Sequence, residues 1–275
     1  MAGGEQLRLM AVFAHPDDES FGNGGTLARY AREGVHLSLV TATLGEEGEI
    51  SDPSLATREN LGEVRERELR AACEILGIQE LRLLGYRDGS LGAADEREAR
   101  GKIVGAMREL RPQVVFSFGP DGVYGHPDHV AISRLATEAY REAGNPSSYP
   151  EQLEGGLETW SPSKLYYVAV PRGRFQRIME KAIPLLSSSF WSEMDWGSFG
   201  VKEDRITSCL EVEEYAGDRL SATLTHRTQV QPNHPFFVIP REELLGYFSR
   251  ECFVLADSRV GRPQGMEDDL FRGLR

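Results

Sequence analysis

Short apolar runs alternate with longer amphipathic segments along the first half of the chain. The apolar runs predict strands, which span residues 7–14, 35–43, 81–84 and 114–118. Apolar residues at helical spacing predict helices between and after them, over residues 24–34, 57–76, 95–110 and 128–141. Strands that alternate with helices in this way are typical of parallel sheets. The pattern therefore predicts an α/β fold with a Rossmann-like, mostly parallel sheet flanked by helices.

The pattern becomes less regular in the second half of the chain. It predicts strands at 165–170 and 206–212, a helix at 215–224, and a long irregular loop over the aromatic stretch 185–200. Long loops of this kind often line binding sites. We therefore expect one domain with an α/β core at residues 1–145 and an irregular C-terminal portion, residues 146–275, that completes the sheet and caps the pocket.

Charge and cysteine usage restrict the class of protein. The 275 residues carry 31 Lys and Arg against 43 Asp and Glu, a net charge of −12, so nucleic acid and anionic membrane surfaces are unfavourable partners. Cys73, Cys209 and Cys252 lie far apart, which predicts neither a disulfide framework nor a thiolate zinc site. Since the N-terminus lacks the features of a signal peptide, we expect a cytoplasmic protein, with self-association left open.

Two similar loops carry the candidate chemistry. AHPDDE at 14–19 follows the first predicted strand, and YGHPDH at 124–129 follows the strand at 114–118. Because the carboxyl ends of parallel strands meet at one edge of a sheet, we expect the two loops to lie close together. Imidazole and carboxylate groups without sulfur suit zinc or another divalent ion. The sequence therefore predicts a metal site within the core.

These loops belong to a longer series of motifs. AHPDDES, GNGGTLARY, TLGEEGE, VRERELRAA, GYRDG, YGHPDH and THRTQV resemble, in this order, stretches of the LmbE/PIG-L family of zinc-dependent deacetylases. The likeness covers most of the chain and is greatest to the N-acetylglucosaminyl deacetylases of the mycothiol pathway. The resemblance implies that zinc is bound by His15, Asp18 and His129.

The same resemblance implies roles for further residues. Asp17 would be the general base that takes the proton of the attacking water. His126 would be a general acid or electrostatic stabiliser, kept protonated by Asp128 or another carboxylate, and Tyr124 would stabilise the oxyanion. The residues expected to hold the sugar and its hydroxyls are Glu49, Arg65 and Asp88. His226 in THRTQV is expected to have a structural role.

The function that follows is metal-dependent hydrolysis of the N-acetyl amide of an N-acetylglucosamine-type conjugate, which releases acetate and a free amine. The expected cofactor is Zn²⁺, with Fe²⁺ or another divalent ion left open. The expected partner is a small amino-sugar conjugate.

Two alternatives remain. A thiol-conjugate amidase of the same family would act on a larger amide, but such enzymes often carry a lysine just after AHPDDES, where this chain has Phe21, Gly22 and Asn23. A non-catalytic sugar binder is disfavoured because every expected metal ligand and the base are present in this chain. A non-catalytic nucleotide-binding module would use GNGG at 22–25 as a phosphate loop. That stretch does not match G-x-G-x-x-G, which favours the enzyme.

Overall fold

A computed structural model describes residues 6–186, 199–230 and 234–275. Its strands are β1 (Arg8–Phe13), β2 (His36–Thr41), β3 (Glu80–Leu83), β4 (Val114–Ser117), β5 (Lys164–Ala169), β6 (Ser208–Glu211) and β7 (Arg250–Ser258). They form one seven-stranded sheet in the order β3-β2-β1-β4-β5-β7-β6. The first five strands are parallel, and β7 runs antiparallel to both β5 and β6.

Helices connect and cover these strands. They are α1 (Asp18–Arg32), α2 (Leu61–Leu76), α3 (Glu96–Leu110), the short helical turn α4 (Gly122–Gly125), α5 (Pro127–Glu142), α6 (Pro150–Glu154), α7 (Arg172–Ala182), α8 (Ala216–Thr225), α9 (Pro235–Val238) and α10 (Arg241–Phe248). Helix α8 packs against α1 and α2, whereas α3 packs against α5. Right-handed crossovers place these two groups on opposite faces of the sheet. No helix of the described residues is long and apolar enough to cross a membrane.

The core lies around β1 and β4 at the centre of the sheet. Residues 9–13 of β1 and all four residues of β4 are buried, as expected of strands covered on both faces. From β1 the chain builds outward to β2 and β3 on one side, and then returns to add β4 and β5 on the other. This reversal leaves a crevice at the carboxyl ends of β1 and β4, the place where such sheets bind ligands.

The predicted fold class is confirmed, and several boundaries are corrected. Helix α1 begins at Asp18 rather than at residue 24, because acidic residues in a first turn are favourable near the positive end of a helix. Helix α2 begins at Leu61 rather than at 57. The pattern missed β7, α7 and α10, so the C-terminal portion is more regular than predicted. The loop predicted at 185–200 lies mostly outside the described residues.

The prediction that the cysteines form no disulfide is wrong. Cys209 on β6 and Cys252 on β7 are joined by a disulfide bond, while Cys73 is free and buried. The two bonded residues face each other directly in the antiparallel pairing of β6 and β7. Their separation of 43 residues hides this proximity in the sequence, since the pairing depends on β7, which the pattern did not reveal.

Candidate active site

The AHPDDE turn is held together by the side chain of Asp18. The Asp18 carboxylate accepts hydrogen bonds from the amides of Ala14 (3.2 Å) and His15 (2.8 Å). Asp17 has a φ of 107°, which is rare for a residue other than glycine. Strained backbone of this kind concentrates at functional sites. The turn thereby places four ionisable residues at the carboxyl end of β1, namely His15, Asp17, Asp18 and Glu19.

Two imidazole nitrogens and the two oxygens of one carboxylate converge in the crevice. His15 Nδ1 lies 3.2 Å from His129 Nε2 and 3.7 Å from Asp18 Oδ2, and His129 Nε2 lies 3.3 Å from Asp18 Oδ1. Tetrahedral coordination with bonds of about 2.0–2.2 Å places neighbouring ligand atoms about 3.3–3.6 Å apart. All three side chains are buried. The arrangement therefore fits a divalent cation.

Contacts with Phe118 and Gly122 orient the His129 ring. Its ring stacks on Phe118, with centroids 4.1 Å apart and an interplanar angle of 11°. Its Nδ1 lies 3.3 Å from the carbonyl oxygen of Gly122. With Nδ1 directed at the backbone, Nε2 is the atom that faces His15 and Asp18. Oriented imidazoles of this kind are typical of metal sites.

Two carboxylates flank the far side of the His15 ring. Nε2 lies 2.9 Å from Asp88 Oδ1 and 3.5 Å from Asp128 Oδ2. Burial lowers the pKa of His15, but Asp128 and Asp88 outweigh it and raise that pKa to about 10. Since a coordinating histidine must give up a proton, metal binding here would release one.

Both carboxylates are fixed by backbone amides. Asp128 accepts hydrogen bonds from Gly89 (2.7 Å) and Leu91 (3.1 Å), and Asp88 accepts one from Glu47 (3.1 Å). The Asp128 carboxylate thus contacts both His15 and the backbone of the loop after β3.

His126 and Tyr124 lie at the mouth of the crevice. The His126 ring is 4.9 Å from that of His15 and 4.8 Å from that of His129, measured between centroids. Burial and the neighbouring histidines lower the pKa of His126, although Asp128 opposes this shift. Tyr124 is 55% exposed, and its ring lies 5.2 Å from that of His129. The φ of 70° at Val123 marks a second strained turn beside the cluster.

Arg65 lies beneath the AHPDDE turn and is 3% exposed. It donates to the carbonyl oxygens of Gly45 (2.7 Å) and Pro16 (2.5 Å), and it lies 3.2 Å from Asp17 Oδ2. Burial raises the pKa of Asp17 to about 6, against the opposing charge of Arg65. Position 45 must be glycine, because its φ is 64° and a Cβ there would lie 2.0 Å from Arg65 Nη1.

Sequence reasoning missed Glu19, although it belongs to the AHPDDE motif. Its carboxylate accepts a hydrogen bond from the Asp17 amide (3.0 Å) and lies 2.8 Å from His226 Nε2. Both Glu19 and His226 are buried. The THRTQV motif thus contacts and supports the AHPDDE turn through the pair of His226 and Glu19. Glu49 is exposed on the rim, where its carbonyl oxygen accepts a hydrogen bond from Gln229 (3.0 Å).

The contact between His226 and Glu19 gives a stability prediction. Burial lowers the pKa of His226, but Glu19 outweighs it, so the pKa lies above the ordinary 6.5. The charged pair therefore stabilises the fold fully below pH 6.5 and loses this contribution as the pH rises through the folded-state pKa. His226→Gln should cost about 1–3 kcal/mol of unfolding free energy at about pH 6 and less at about pH 9. Urea unfolding of the wild type and of the variant measures this difference in unfolding free energy. A difference that increases with pH would contradict the prediction.

The GNGG stretch is structural. Helix α1 is kinked at Asn23, and the amides of Gly25 (3.0 Å) and Thr26 (2.7 Å) donate to the Glu251 carboxylate. Arg219 pairs with the same carboxylate at 3.0 Å. The amides that a phosphate loop would offer to a nucleotide are therefore occupied by a buried side chain, which argues against the nucleotide-binding alternative.

The fold and the His/Asp cluster at the switch point define an α/β enzyme with a candidate centre for a divalent ion. The family model described as "PIG-L: GlcNAc-PI de-N-acetylase" matches residues 10–140. A 1D-myo-inositol 2-acetamido-2-deoxy-alpha-D-glucopyranoside deacetylase of Streptomyces avermitilis is 39% identical, over 97% of each chain. This chain belongs to the PIG-L family. The predicted class of enzyme, a deacetylase that hydrolyses an amide, is confirmed.

Solved structures show how widely the fold is used. An N,N'-diacetylchitobiose deacetylase from Pyrococcus horikoshii has a TM-score of 0.68 and 23% identity, over 90% of this chain and 83% of its own. A 4-carboxy-2-hydroxymuconate hydratase from Pseudomonas putida has a TM-score of 0.64 and 18% identity, over 94% of this chain and 100% of its own. One fold thus serves different reactions, so substrate and mechanism must be argued from the site.

Proposed function

We propose that the protein hydrolyses the N-acetyl group of a 2-acetamido-2-deoxyglucopyranoside of myo-inositol, with Zn²⁺ as cofactor. The substrate class is supported by the name of the Streptomyces relative, which the chain matches over nearly its whole length. The observation that carries the proposal is the convergence of His15, Asp18 and His129 at metal-ligand spacing.

His15, Asp18 and His129 would hold the ion. Two imidazoles and one carboxylate form a ligand set that zinc uses in hydrolytic enzymes. When bound, the ion supplies Lewis-acid polarisation of the amide carbonyl and makes the attacking water more acidic. Asp88 and Asp128 would orient His15, since carboxylates commonly hold the far nitrogen of a metal-binding imidazole.

Asp17 is the proposed general base. The raised pKa of its carboxyl, about 6, is closer to neutrality than that of an ordinary aspartate, which favours proton acceptance near pH 7. Arg65 and Glu19 hold Asp17 at its strained φ. The water oxygen joins the acetyl carbon, the C–N bond breaks, and the amine nitrogen takes up a proton.

His126 and Tyr124 would act on the other side of the amide. Burial and the neighbouring histidines lower the pKa of His126. We therefore propose that His126 is protonated only transiently and passes this proton to the departing amine. The Tyr124 hydroxyl would donate to the developing oxyanion. Glu49, exposed on the rim, is the residue we propose for contact with a sugar hydroxyl.

The contacts of Arg65 favour support of the Asp17 turn over the expected contact with the sugar. Arg65→Met should therefore lower kcat/KM by a similar factor, about 10- to 100-fold, for an N-acetylglucosaminyl substrate and for a sugar-free acetamide. Initial rates on both substrates measure this. Arg67→Met on the same helix, at an exposed position, is the matched control. A loss confined to the sugar substrate would show that Arg65 binds the sugar.

The test of the proposed function compares two amides of the same amino sugar. One is the N-acetyl derivative of glucosaminyl-inositol, and the other carries an S-alkylated N-acetylcysteinyl group. With Zn²⁺ supplied, we expect amine release mainly from the acetyl compound. Exclusive hydrolysis of the cysteinyl compound would instead identify a thiol-conjugate amidase.

A further inference from the structure

A cavity of about 360 Å³ opens beside the His/Asp cluster. Asp18, Tyr124 and His129 are among the residues that line it. Its remaining walls come largely from α1, the end of β5, α7 and the start of β7, with apolar side chains that include Phe21, Phe118, Val168, Phe175, Met179 and Phe236. A volume of this size is typical of small-molecule pockets. An acetyl methyl group would leave most of it empty.

The charged residues in the cavity wall are already engaged. Arg219 and Glu251 pair with each other. Arg174 donates to the carbonyl oxygens of Gly246 (2.9 Å) and Arg250 (2.7 Å). Because most of the remaining lining residues are apolar, the cavity favours an aliphatic ligand.

The loops beside His15 are polar, and His15, unlike Asp18 and His129, does not line the cavity. The loop after β2 carries Glu46, Glu47 and the rim residue Glu49, and the loop after β3 carries Asp88. None of these four residues lines the cavity. An amide that lies across the cluster therefore has a polar surface for its sugar on one side and an apolar cavity for its acyl group on the other.

From this division we infer that the cavity is an acyl-binding subsite and that the enzyme removes N-acyl groups of about four to eight carbons from amino sugars, beyond acetyl. The inference rests on the proposed function, since it assumes amide hydrolysis at the His/Asp cluster. The reaction is the same, with water adding to the acyl carbon and a fatty acid leaving in place of acetate. Each methylene that enters the cavity should raise kcat/KM about three- to fourfold.

The test compares N-hexanoylglucosamine with N-acetylglucosamine on the zinc-loaded protein. We expect kcat/KM to be at least about tenfold higher for the hexanoyl compound. Independently of any variant, hexanoate should inhibit acetyl hydrolysis at lower concentration than acetate does. Acetyl hydrolysis with no gain for hexanoyl and no tighter inhibition by hexanoate would overturn the inference alone. No hydrolysis of either compound would instead count against the proposed function.

A substitution that fills part of the cavity provides a second test. Gly22 on α1 lines the cavity, and a Cβ there would meet only Val168, at 3.9 Å. Gly22→Leu should therefore fill part of the cavity and lower the hexanoyl-to-acetyl ratio of kcat/KM at least about tenfold. The control is Gly217→Leu on α8, an exposed helical glycine whose Cβ would meet nothing within 4 Å, and it should keep the wild-type ratio. An unchanged ratio in Gly22→Leu would contradict the assignment of the cavity.

Discussion

Replacement of His129 by alanine is expected to remove the bound ion and to lower acetate release by about 10³-fold or more. Only His15 and Asp18 would remain, and two ligands neither fix the geometry nor hold a cation tightly. Elemental analysis of the purified variant and initial rates measure both effects.

The matched control is His36→Ala at the start of β2. This half-buried histidine lies at the amino end of its strand, away from the crevice. It should keep about one ion per chain and near wild-type activity. Full metal occupancy and activity in His129→Ala would contradict the ligand assignment.

Asp17→Asn is expected to keep the metal and to lose about 10²- to 10⁴-fold in rate. The amide has nearly the same size but cannot accept the water proton. Wild-type kcat/KM should fall as the pH drops through about 6, because Asp17 then becomes protonated. A bound cation beside Asp17 would move this acidic limb of the pH–rate profile to lower pH. The variant should lack the limb. Asp52→Asn, in an exposed turn, is the control. An active, metal-loaded Asp17→Asn protein would place the base elsewhere.

The central part of the fold could be predicted from sequence because its signals are local. The runs that form β1 and β4 are buried on both faces, so they consist almost entirely of apolar residues. Each is followed by a histidine-containing loop, and the parallel arrangement brings both loops to one edge. The sequence therefore predicts that His15 and His129, 114 residues apart, lie near each other.

What the sequence could not reveal depends on contacts between distant segments. Strand β7 is recognised only where it pairs with β5 and β6, and the disulfide between Cys209 and Cys252 follows from that pairing. The position of Arg65 under the AHPDDE turn is equally non-local, because one face of a helix does not indicate which backbone it meets.

The proposed zinc dependence can be measured by titration of chelator-treated protein with Zn²⁺. Acetate release from the acetylated glucosaminyl-inositol is followed at each step. The proposed centre of His15, Asp18 and His129 predicts that activity rises in proportion to added zinc and reaches its plateau at about one equivalent per chain. Full activity after chelation, or no acetate release at full zinc occupancy, would contradict the account.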